Sequence, residues 1–197
     1  TGDRAVAIGY QALYAQNNDL STYNVAVGFH AGYSVTTGTL NTLVGGLSGD
    51  ALTVGNSNVA MGYQSLTSET QGDRNVAIGF GTLSQQNNTS STDAYNVAVG
   101  YNASTNVTTG ADNTIIGGLA GDALTTGSNN VAIGKEALST EDAHGNNVAV
   151  GYRALKTQNA GADAFNVAVG KDAGYSVTTG IKNVLIGGLA GDALQEG

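Results

Sequence analysis

NVAVG, residues 24–28, is the stretch that decides the fold, because it recurs along the whole chain with small changes. It returns as NVAMG at 58–62, NVAIG at 75–79 and NVAVG at 96–100. Aligned on the final glycine, the sequence contains eleven repeats, numbered 1 to 11 in chain order. Their glycines are Gly9, Gly28, Gly45, Gly62, Gly79, Gly100, Gly117, Gly134, Gly151, Gly170 and Gly187. Because regular repetition of this kind is typical of solenoids, we predict a single repeat domain over residues 1–197.

The spacing of these glycines contains a second, longer period. Successive glycines are 19, 17, 17, 17, 21, 17, 17, 17, 19 and 17 residues apart, so the longer steps recur at every fourth repeat. The variant NTLVGGLSGDAL at 41–52 also returns at every fourth repeat, at 113–124 and 183–194. The long units are therefore residues 1–70, 71–142 and, incomplete, 143–197.

The composition narrows the class of protein. Thirty glycines and no proline suit many tight turns between strands whose N–H groups are all in use. The net charge of −8 argues against nucleic acid as a partner, because few basic groups are present to neutralise phosphates. The lack of cysteine excludes a disulfide framework and thiolate metal sites. No run of about 18 apolar residues occurs, so we expect no membrane insertion by this segment.

The recurring core predicts a β-strand, because large and small side chains alternate in it. In Val25-Ala26-Val27 the two valines face one side and Ala26 faces the other. The glycine that follows indicates a turn with positive φ or a close backbone approach. A second apolar position comes four or seven residues after the glycine. Its residues are Leu13, Leu66, Leu83, Leu138 and Leu155 in the first case, and Val35, Leu52, Val107, Leu124, Val177 and Leu194 in the second.

These features predict two short strands and two turns in each repeat. Stacked at about 4.8 Å, such repeats form an all-β parallel solenoid of eleven coils, each 17 to 21 residues long. A helical repeat would instead need apolar spacings of three and four and would not tolerate a fixed central glycine. GGLSGD at 45–50 has the letters of a calcium-binding roll in shifted order and only once in four repeats, which argues against calcium.

The repeat resembles the head repeat of YadA-like trimeric adhesins over all eleven copies. The resemblance lies in N-[VST]-[AL]-[IVM]-G followed, after two variable residues, by a small one, which is Ala12, Ala31, Ser48, Ala103 or Ala137 in five of the repeats. It implies a left-handed parallel β-roll that assembles as a homotrimer. Similar repeats occur in phage tail fibres. The repeats in this chain are longer than the adhesin repeat, and Asn-Val or Asn-Thr replaces the commoner Asn-Ser-Val.

Association is also expected on physical grounds. Fixing the backbone of a thin repeat costs conformational entropy that three buried aliphatic side chains return only in part. An alanine-rich outer strand face would let backbones of different chains approach closely, and the alternative is a solvent face of small residues. The candidate trimer seam consists of Ala26, Leu43, Ala60, Ala77, Ala98, Ile115, Ala132 and Leu185.

One repeat in four carries a larger side chain on this predicted seam, together with a second glycine after the invariant one. The pairs are Leu43 with Gly46, Ile115 with Gly118 and Leu185 with Gly188. We predict that each pair forms a knob and a hole between chains, in layers about 19 Å apart, which fix the axial register of the trimer.

Aromatic side chains follow the glycine in most of the other repeats and form the candidate binding surface. They are Tyr10, Phe29, Tyr63, Phe80, Tyr101 and Tyr152. An exposed column of rings could contact sugars or protein, and the alternative is a ladder of stacked rings that only stabilises the roll. The longer repeats add the loops 17–23, 87–95 and 159–165, which we expect to protrude at regular heights, where recognition often occurs.

Residues with catalytic potential are few. His30 and His144 lie at different repeat positions and form no column, so we predict no metal pair. Glu141 and Asp142 are predicted to be solvated turn residues rather than paired catalytic carboxylates, and no nucleophile motif is present. We therefore expect no catalytic, metal-binding or cofactor-binding residues and no enzymatic activity.

Together the patterns predict an elongated, trimeric, extracellular fibre segment. It would belong to a bacterial adhesin head or a phage tail fibre on the virion and attach to a host glycan or protein receptor. Because the sequence begins at Thr1 and stops inside a repeat, we interpret it as a segment of a longer protein. One alternative is a purely structural spacer. Another is ice binding, because threonine recurs eight residues after the glycine, although Asn17, Asn87, Asp142 and Asn159 interrupt that column.

Overall fold

Each repeat forms one three-residue strand directly before its invariant glycine. The computed structural model describes residues 4–17 and 21–196, which form an all-β parallel solenoid of about ten turns. The strands are β1 (Val6–Ile8), β2 (Val25–Val27), β3 (Thr42–Val44), β4 (Val59–Met61), β5 (Gly72–Asp73), β6 (Val76–Ile78), β7 (Thr92–Asp93), β8 (Val97–Val99), β9 (Thr114–Ile116), β10 (Val131–Ile133), β11 (Val148–Val150), β12 (Val167–Val169) and β13 (Val184–Ile186). Within these described residues there is no helix, and hence none that could cross a membrane.

Eleven of the strands form one parallel sheet in chain order, and β5 pairs with β7 in a second, two-stranded sheet. Equivalent repeat positions pair directly, so that Ala26 stands opposite Ala7 and Leu43. The predicted parallel stacking is thus confirmed. The predicted second strand in every repeat is wrong, because apart from β5, β7 and the single bridge residue Ser21 the rest of each described turn consists of turns, bends and irregular backbone.

The predicted trimer seam lies inside the single chain. The strand residues on either side of the central one point outward and are partly exposed, whereas the central residue points into the solenoid. Of the predicted seam residues, Leu185 is half-buried and packs against the core, and the other seven are fully buried. The seven are Ala26, Leu43, Ala60, Ala77, Ala98, Ile115 and Ala132. The seam prediction is therefore wrong. Each turn is so narrow that mainly small side chains fit at this position, so side-chain volume decides which face is inside.

The interior of each turn holds one large aliphatic side chain beside the strand, at one of two places. Where leucine lies four residues after the glycine, as Leu66 does, the residue seven after the glycine is polar, as Glu69 is. Where glycine lies at the first place, as Gly32 does, the second holds an aliphatic residue such as Val35. The leucines and valines predicted at these two places are buried, apart from the half-buried Leu194 near the end of the solenoid. Volume is thus balanced within each turn.

The larger residues at every fourth strand find their space within the chain. A Cβ atom at Gly32 would lie 2.7 Å from the Leu43 side chain, and one at Gly49 would lie 2.8 Å from it. A Cβ at Gly46, the predicted hole, would instead meet the ring of Tyr63 at 3.3 Å. The predicted pairing of Leu43 with Gly46 is therefore wrong, because the space for Leu43 comes from glycines four residues after the invariant one.

The invariant glycine has both of the properties predicted for it. Gly28 has a φ of 143°, and a Cβ there would lie 2.4 Å from the carbonyl oxygen of Gly45 in the next turn. Many other turn residues have positive φ, among them the buried Leu66 and the exposed Tyr95. Within the part of the chain that the structure describes, none of the non-glycine residues with positive φ is Val, Ile or Thr. Branching at Cβ makes this conformation costly, so turns and strands draw on different residues.

A column of buried asparagines joins neighbouring turns. The N–H of Asn41 donates to Oδ1 of Asn24 at 2.9 Å, and Nδ2 of Asn24 donates to the carbonyl oxygen of Gly38 at 2.8 Å. The same Oδ1 contact repeats from turn to turn as far as Asn183. In seven of these asparagines Nδ2 also donates to a backbone carbonyl of its own turn, so the asparagine that opens the NVAVG motif helps to fix the spacing of the turns.

Candidate functional site

The aromatic residues after the glycine form an exposed column. The exposed fraction of these six residues is 39% to 66%, and they are Tyr10, Phe29, Tyr63, Phe80, Tyr101 and Tyr152. The ring centroids of Tyr63 and Phe80 are 5.7 Å apart, those of Phe80 and Tyr101 are 5.4 Å apart, and both pairs are stacked. The rings therefore form a ladder and an open surface at once, because parallel register places equivalent side chains one above the other.

The column is divided into blocks where glycine or lysine replaces the ring. Gly46 separates the stacked pair Tyr10 and Phe29 from the stacked block Tyr63, Phe80 and Tyr101. Each stacked pair buries part of its ring faces, while the outer edges stay open to solvent. The longest block thus offers three rings in a row on a rigid backbone.

Further rings widen the first block beyond what the sequence pattern indicated. His30 stacks on Phe29 with ring centroids 4.0 Å apart, and Tyr33 stacks on Tyr14 at 5.2 Å. The His30 ring also bonds through Nε2 to Oε1 of Gln11 at 2.7 Å. His30 is therefore part of an aromatic surface.

The lengthened loops carry rings of their own. In the second long unit, Arg74 lies over the ring of Tyr95 at 5.6 Å from its centroid and forms an ion pair with Asp93. Ser90 and Ser91, between β5 and β7, are exposed, which agrees with a loop that stands out from the turn. The first predicted loop, 17–23, lies partly outside the described residues.

A groove of about 450 Å³ lies near the end of the solenoid, lined by Arg153, Asp172, Tyr175, Ser176, Leu189, Asp192 and Ala193. The guanidinium of Arg153 donates to Asp172 at 2.8 Å, and this bond is the main reason why the pKa of Arg153 is raised. The same guanidinium lies over the rings of Tyr152 and Tyr175. Its charge is thus already engaged by its neighbours.

The threonine column is bound into the ladder of turns. Thr53 donates its hydroxyl to the carbonyl oxygen of Thr70 at 2.9 Å, and Thr125 donates its own to that of Asp142 at 2.8 Å. These hydroxyls therefore stabilise adjacent turns and are not a free hydroxyl array.

Two carboxylates seven residues after the glycine are fully buried, Glu69 in repeat 4 and Glu141 in repeat 8. The prediction that Glu141 is a solvated turn residue is wrong, because this position points into the solenoid in every repeat. The sequence did contain a signal. The same position reads Gln, Val, Leu, Glu in the first two long units and Gln, Val, Leu in the incomplete third, so polar residues stand where their neighbours are buried aliphatics.

Glu69 has a complete set of hydrogen-bond donors. Its Oε1 accepts from the backbone N–H groups of Thr70, Gln71, Gly72 and Asn88 at 2.7 to 3.0 Å. Its Oε2 accepts from the side-chain amides of Gln86 and Asn88, both at 2.9 Å. Six donors thus surround one carboxylate, which offsets the cost of burying its charge.

Glu141 is buried with far fewer partners. The N–H of His144 donates to its Oε1 at 3.2 Å, and Nδ1 of His144 lies 3.5 Å from the same oxygen. Among the residues that the structure describes, Oε2 of Glu141 has no hydrogen-bond partner. Burial raises the pKa of the Glu141 carboxyl above its ordinary value, and the N–H groups of His144 and Ala160 that face it offset part of this effect.

No relative of this chain indicates which of these features carries the function. A comparison with known protein families, curated proteins and solved structures found no match. The resemblance to adhesin head repeats therefore remains an expectation from the sequence. The exposed rings, which stack on one another along the solenoid, are the best candidate for contact with another molecule.

Proposed function

We propose that this chain is a segment of an elongated homotrimeric fibre outside the cell, from a bacterial adhesin head or a phage tail fibre. In this proposal the segment attaches to a cell-surface glycan or protein receptor and catalyses no reaction. The observation that carries the proposal is the column of stacked, exposed rings on a parallel solenoid. Following the resemblance to adhesin heads, we also propose that the solenoid winds left-handed in eleven coils.

The geometry of the rings supports attachment for two reasons. Aromatic side chains give large contact areas and are enriched in the energetically important parts of interfaces. Stacking of Tyr63, Phe80 and Tyr101 on one another holds the three rings in place before a ligand arrives. Binding would therefore cost little side-chain entropy.

The outward strand face supports association. The residues on either side of the buried alanine are aliphatic along nearly the whole sheet, and several are more than one third exposed. They include Ile8, Met61, Ile78, Ile116, Ile133 and Val169. Over ten strand spacings this stripe extends for about 48 Å, which is long for an uncovered apolar surface. We propose that three copies bury this stripe around a common axis, in place of the alanine face.

Attachment is tested with the variant Tyr63→Ala/Phe80→Ala/Tyr101→Ala in glycan-array and whole-cell binding assays. We expect at least a tenfold loss of binding with an unchanged circular dichroism spectrum. The variant Tyr14→Ala/Tyr33→Ala removes a stacked pair beside the first block and leaves Tyr63, Phe80 and Tyr101 in place, so it should lose less binding than the triple variant. Binding that survives the triple substitution would contradict the proposal, and a parent chain that binds no surface would favour the spacer function.

Association is tested by sedimentation of the parent chain and of Ile116→Glu/Ile133→Glu. The parent should sediment as a trimer, and the double variant as a folded monomer, because charges on the stripe oppose its burial. Thr109→Glu, at an exposed position off the sheet, is the control for added charge. A parent that is monomeric at all concentrations would contradict this part of the proposal.

A further inference from the structure

Three side chains that can bind a metal ion lie close together in repeat 8: those of Glu141, Asp142 and His144. One ligand atom from each lies within 4.8 Å of the others. Glu141 is buried, His144 is half-buried and Asp142 is exposed, so the group lies at the wall of the solenoid and opens to solvent. The sequence pattern alone had placed Glu141 and Asp142 among solvated turn residues.

The same place in repeat 4 has the same carboxylate but not the same neighbours. Thr70 stands where repeat 8 has Asp142, and Gly72 stands where it has His144. In the following repeat, Asn88 stands where repeat 9 has Ala160. The differences therefore replace a donor to the carboxylate with alanine and add an imidazole and a second carboxylate beside it.

The consequence of these differences is visible in the hydrogen bonds. Oε2 of Glu69 accepts from Gln86 and Asn88, whereas Oε2 of Glu141 has no partner among the described residues although its side chain is fully buried. Nδ1 of His144 likewise has no hydrogen bond there. A buried acceptor without a donor is uncommon and needs a partner of some kind. Oε1 of the same Glu141 carboxylate lies 3.5 Å from Nδ1 of His144, so a cation held by Nδ1 and by both oxygens of the carboxylate would supply one.

We infer that Glu141, Asp142 and His144 form a binding site for a divalent transition-metal ion such as Zn²⁺. One imidazole and two carboxylates match the nitrogen and oxygen ligands that zinc takes, and three protein ligands leave a position for water. Calcium and magnesium favour ligand sets made of oxygen alone, so His144 selects against them. An ion here would join the wall of repeat 8 to its interior.

The first experiment titrates the metal-free chain with ZnCl₂ by isothermal calorimetry. We expect one ion per chain, at least a tenfold weaker affinity in His144→Ala and in Glu141→Gln, and no saturable binding of Ca²⁺ or Mg²⁺. His30→Ala, which removes the only other histidine, should bind within twofold of the parent. Absence of saturable zinc binding, or equal binding by His144→Ala and the parent, would overturn the inference.

The second experiment keeps the three proposed metal-binding side chains and changes only a neighbour of Glu141. Ala160→Asn places an amide where Asn88 lies beside Glu69, so that Glu141 gains the donor it lacks. We expect at least a tenfold weaker zinc affinity, with circular dichroism and the metal-free melting temperature showing that the variant is folded. An affinity equal to that of the parent would overturn the link between the unpaired oxygen and the metal.

A simple internal bond is the competing explanation. Nε2 of Gln158 also lacks a partner among the described residues, whereas Nε2 of the equivalent Gln86 bonds to Glu69. If Gln158 bonded to Glu141 in solution, both groups would be satisfied without a metal. The native chain would then give no saturable zinc heat, which is the outcome that overturns the inference.

Discussion

Repeats 4 and 8 bury the same glutamate at the same place, yet they treat its charge in opposite ways. Glu69 accepts six hydrogen bonds, whereas Glu141 accepts one from His144 and leaves Oε2 without a partner among the described residues. Four of the six donors to Glu69 are backbone N–H groups, and repeat 4 has the strand β5 where repeat 8 has none at the equivalent residues, so the difference lies in the local backbone as well as in the neighbouring side chains. A repeat scaffold can thus hold one copy of a buried carboxylate as a structural element and another as a potential ligand.

The comparison also shows how a polar residue becomes part of this core. Asn96 donates to Gln86, which donates to Glu69, so the carboxylate is joined to the asparagine column. Asn166 donates to Gln158 in the same way, but the next link to Glu141 is missing. The second network therefore stops one bond short of the glutamate.

Removing the carboxylate of Glu69 should have the largest effect. Glu69→Ala leaves six donors in the interior without their acceptor, and we expect the free energy of unfolding to fall by about 3–5 kcal/mol. Glu141→Ala, the matched control, should cost less than about 2 kcal/mol in metal-free buffer, because only the N–H groups of His144 and Ala160 lose the acceptor that they face. Urea denaturation followed by circular dichroism measures both. Equal losses would break the comparison.

Removing one donor from the complete site should have a smaller effect. Asn88→Ala takes away the side-chain amide on Oε2 of Glu69 but leaves Gln86 in place. We expect a loss of about 1.5–3 kcal/mol, which is typical of a hydrogen bond to a charged group. Asn87→Ala, which removes an exposed bond to Thr70, should cost less than about 1 kcal/mol and serves as the control in the same denaturation assay.

Replacing Glu141 by the neutral glutamine side chain should raise stability near pH 7, whereas the substitutions at Glu69 and Asn88 lower it. Because burial raises the pKa of Glu141, the folded chain binds its proton more tightly than the unfolded chain does. The stabilisation from this group is fully present below the unfolded pKa and is lost as the pH rises through the folded pKa. With a chelator present, Glu141→Gln should therefore match the parent near pH 4 and melt at a higher temperature near pH 7. A gap that narrows with rising pH would contradict this expectation.

Giving Glu141 the amide donor that it lacks should have the smallest effect on stability. Ala160→Asn adds one amide donor next to Glu141, and we expect a gain of about 0.5–1.5 kcal/mol in metal-free buffer. The gain should disappear in Glu141→Ala/Ala160→Asn, where the acceptor is absent. A double-mutant cycle from urea denaturation measures the coupling. A coupling of zero would show that residue 160 does not reach the carboxylate.

Much of the fold follows from the spacing of the glycines and the alternation around Ala26. Those patterns predicted a parallel solenoid and the buried leucines and valines after the glycine. They also predicted the positive φ and the close backbone approach that require the glycine itself. They did not predict the role of Asn24, since a single asparagine before a strand carries no sign that its amide will be buried between turns. They also missed Glu69, although a polar residue recurring at an aliphatic position indicates an interior network.

The sequence by itself determined the period, the register and which residues share a face of the strand, because these depend only on spacing along the chain. It did not determine which face is inside. Val25 and Val27 are more apolar in bulk than Ala26, yet they point outward. Only closure of each turn decides this, since the space left beside Leu66 or Val35 in a turn this narrow admits an alanine and little more. Likewise, only stacking of the turns brings Asn88 to Glu69 and leaves Glu141 without the same amide.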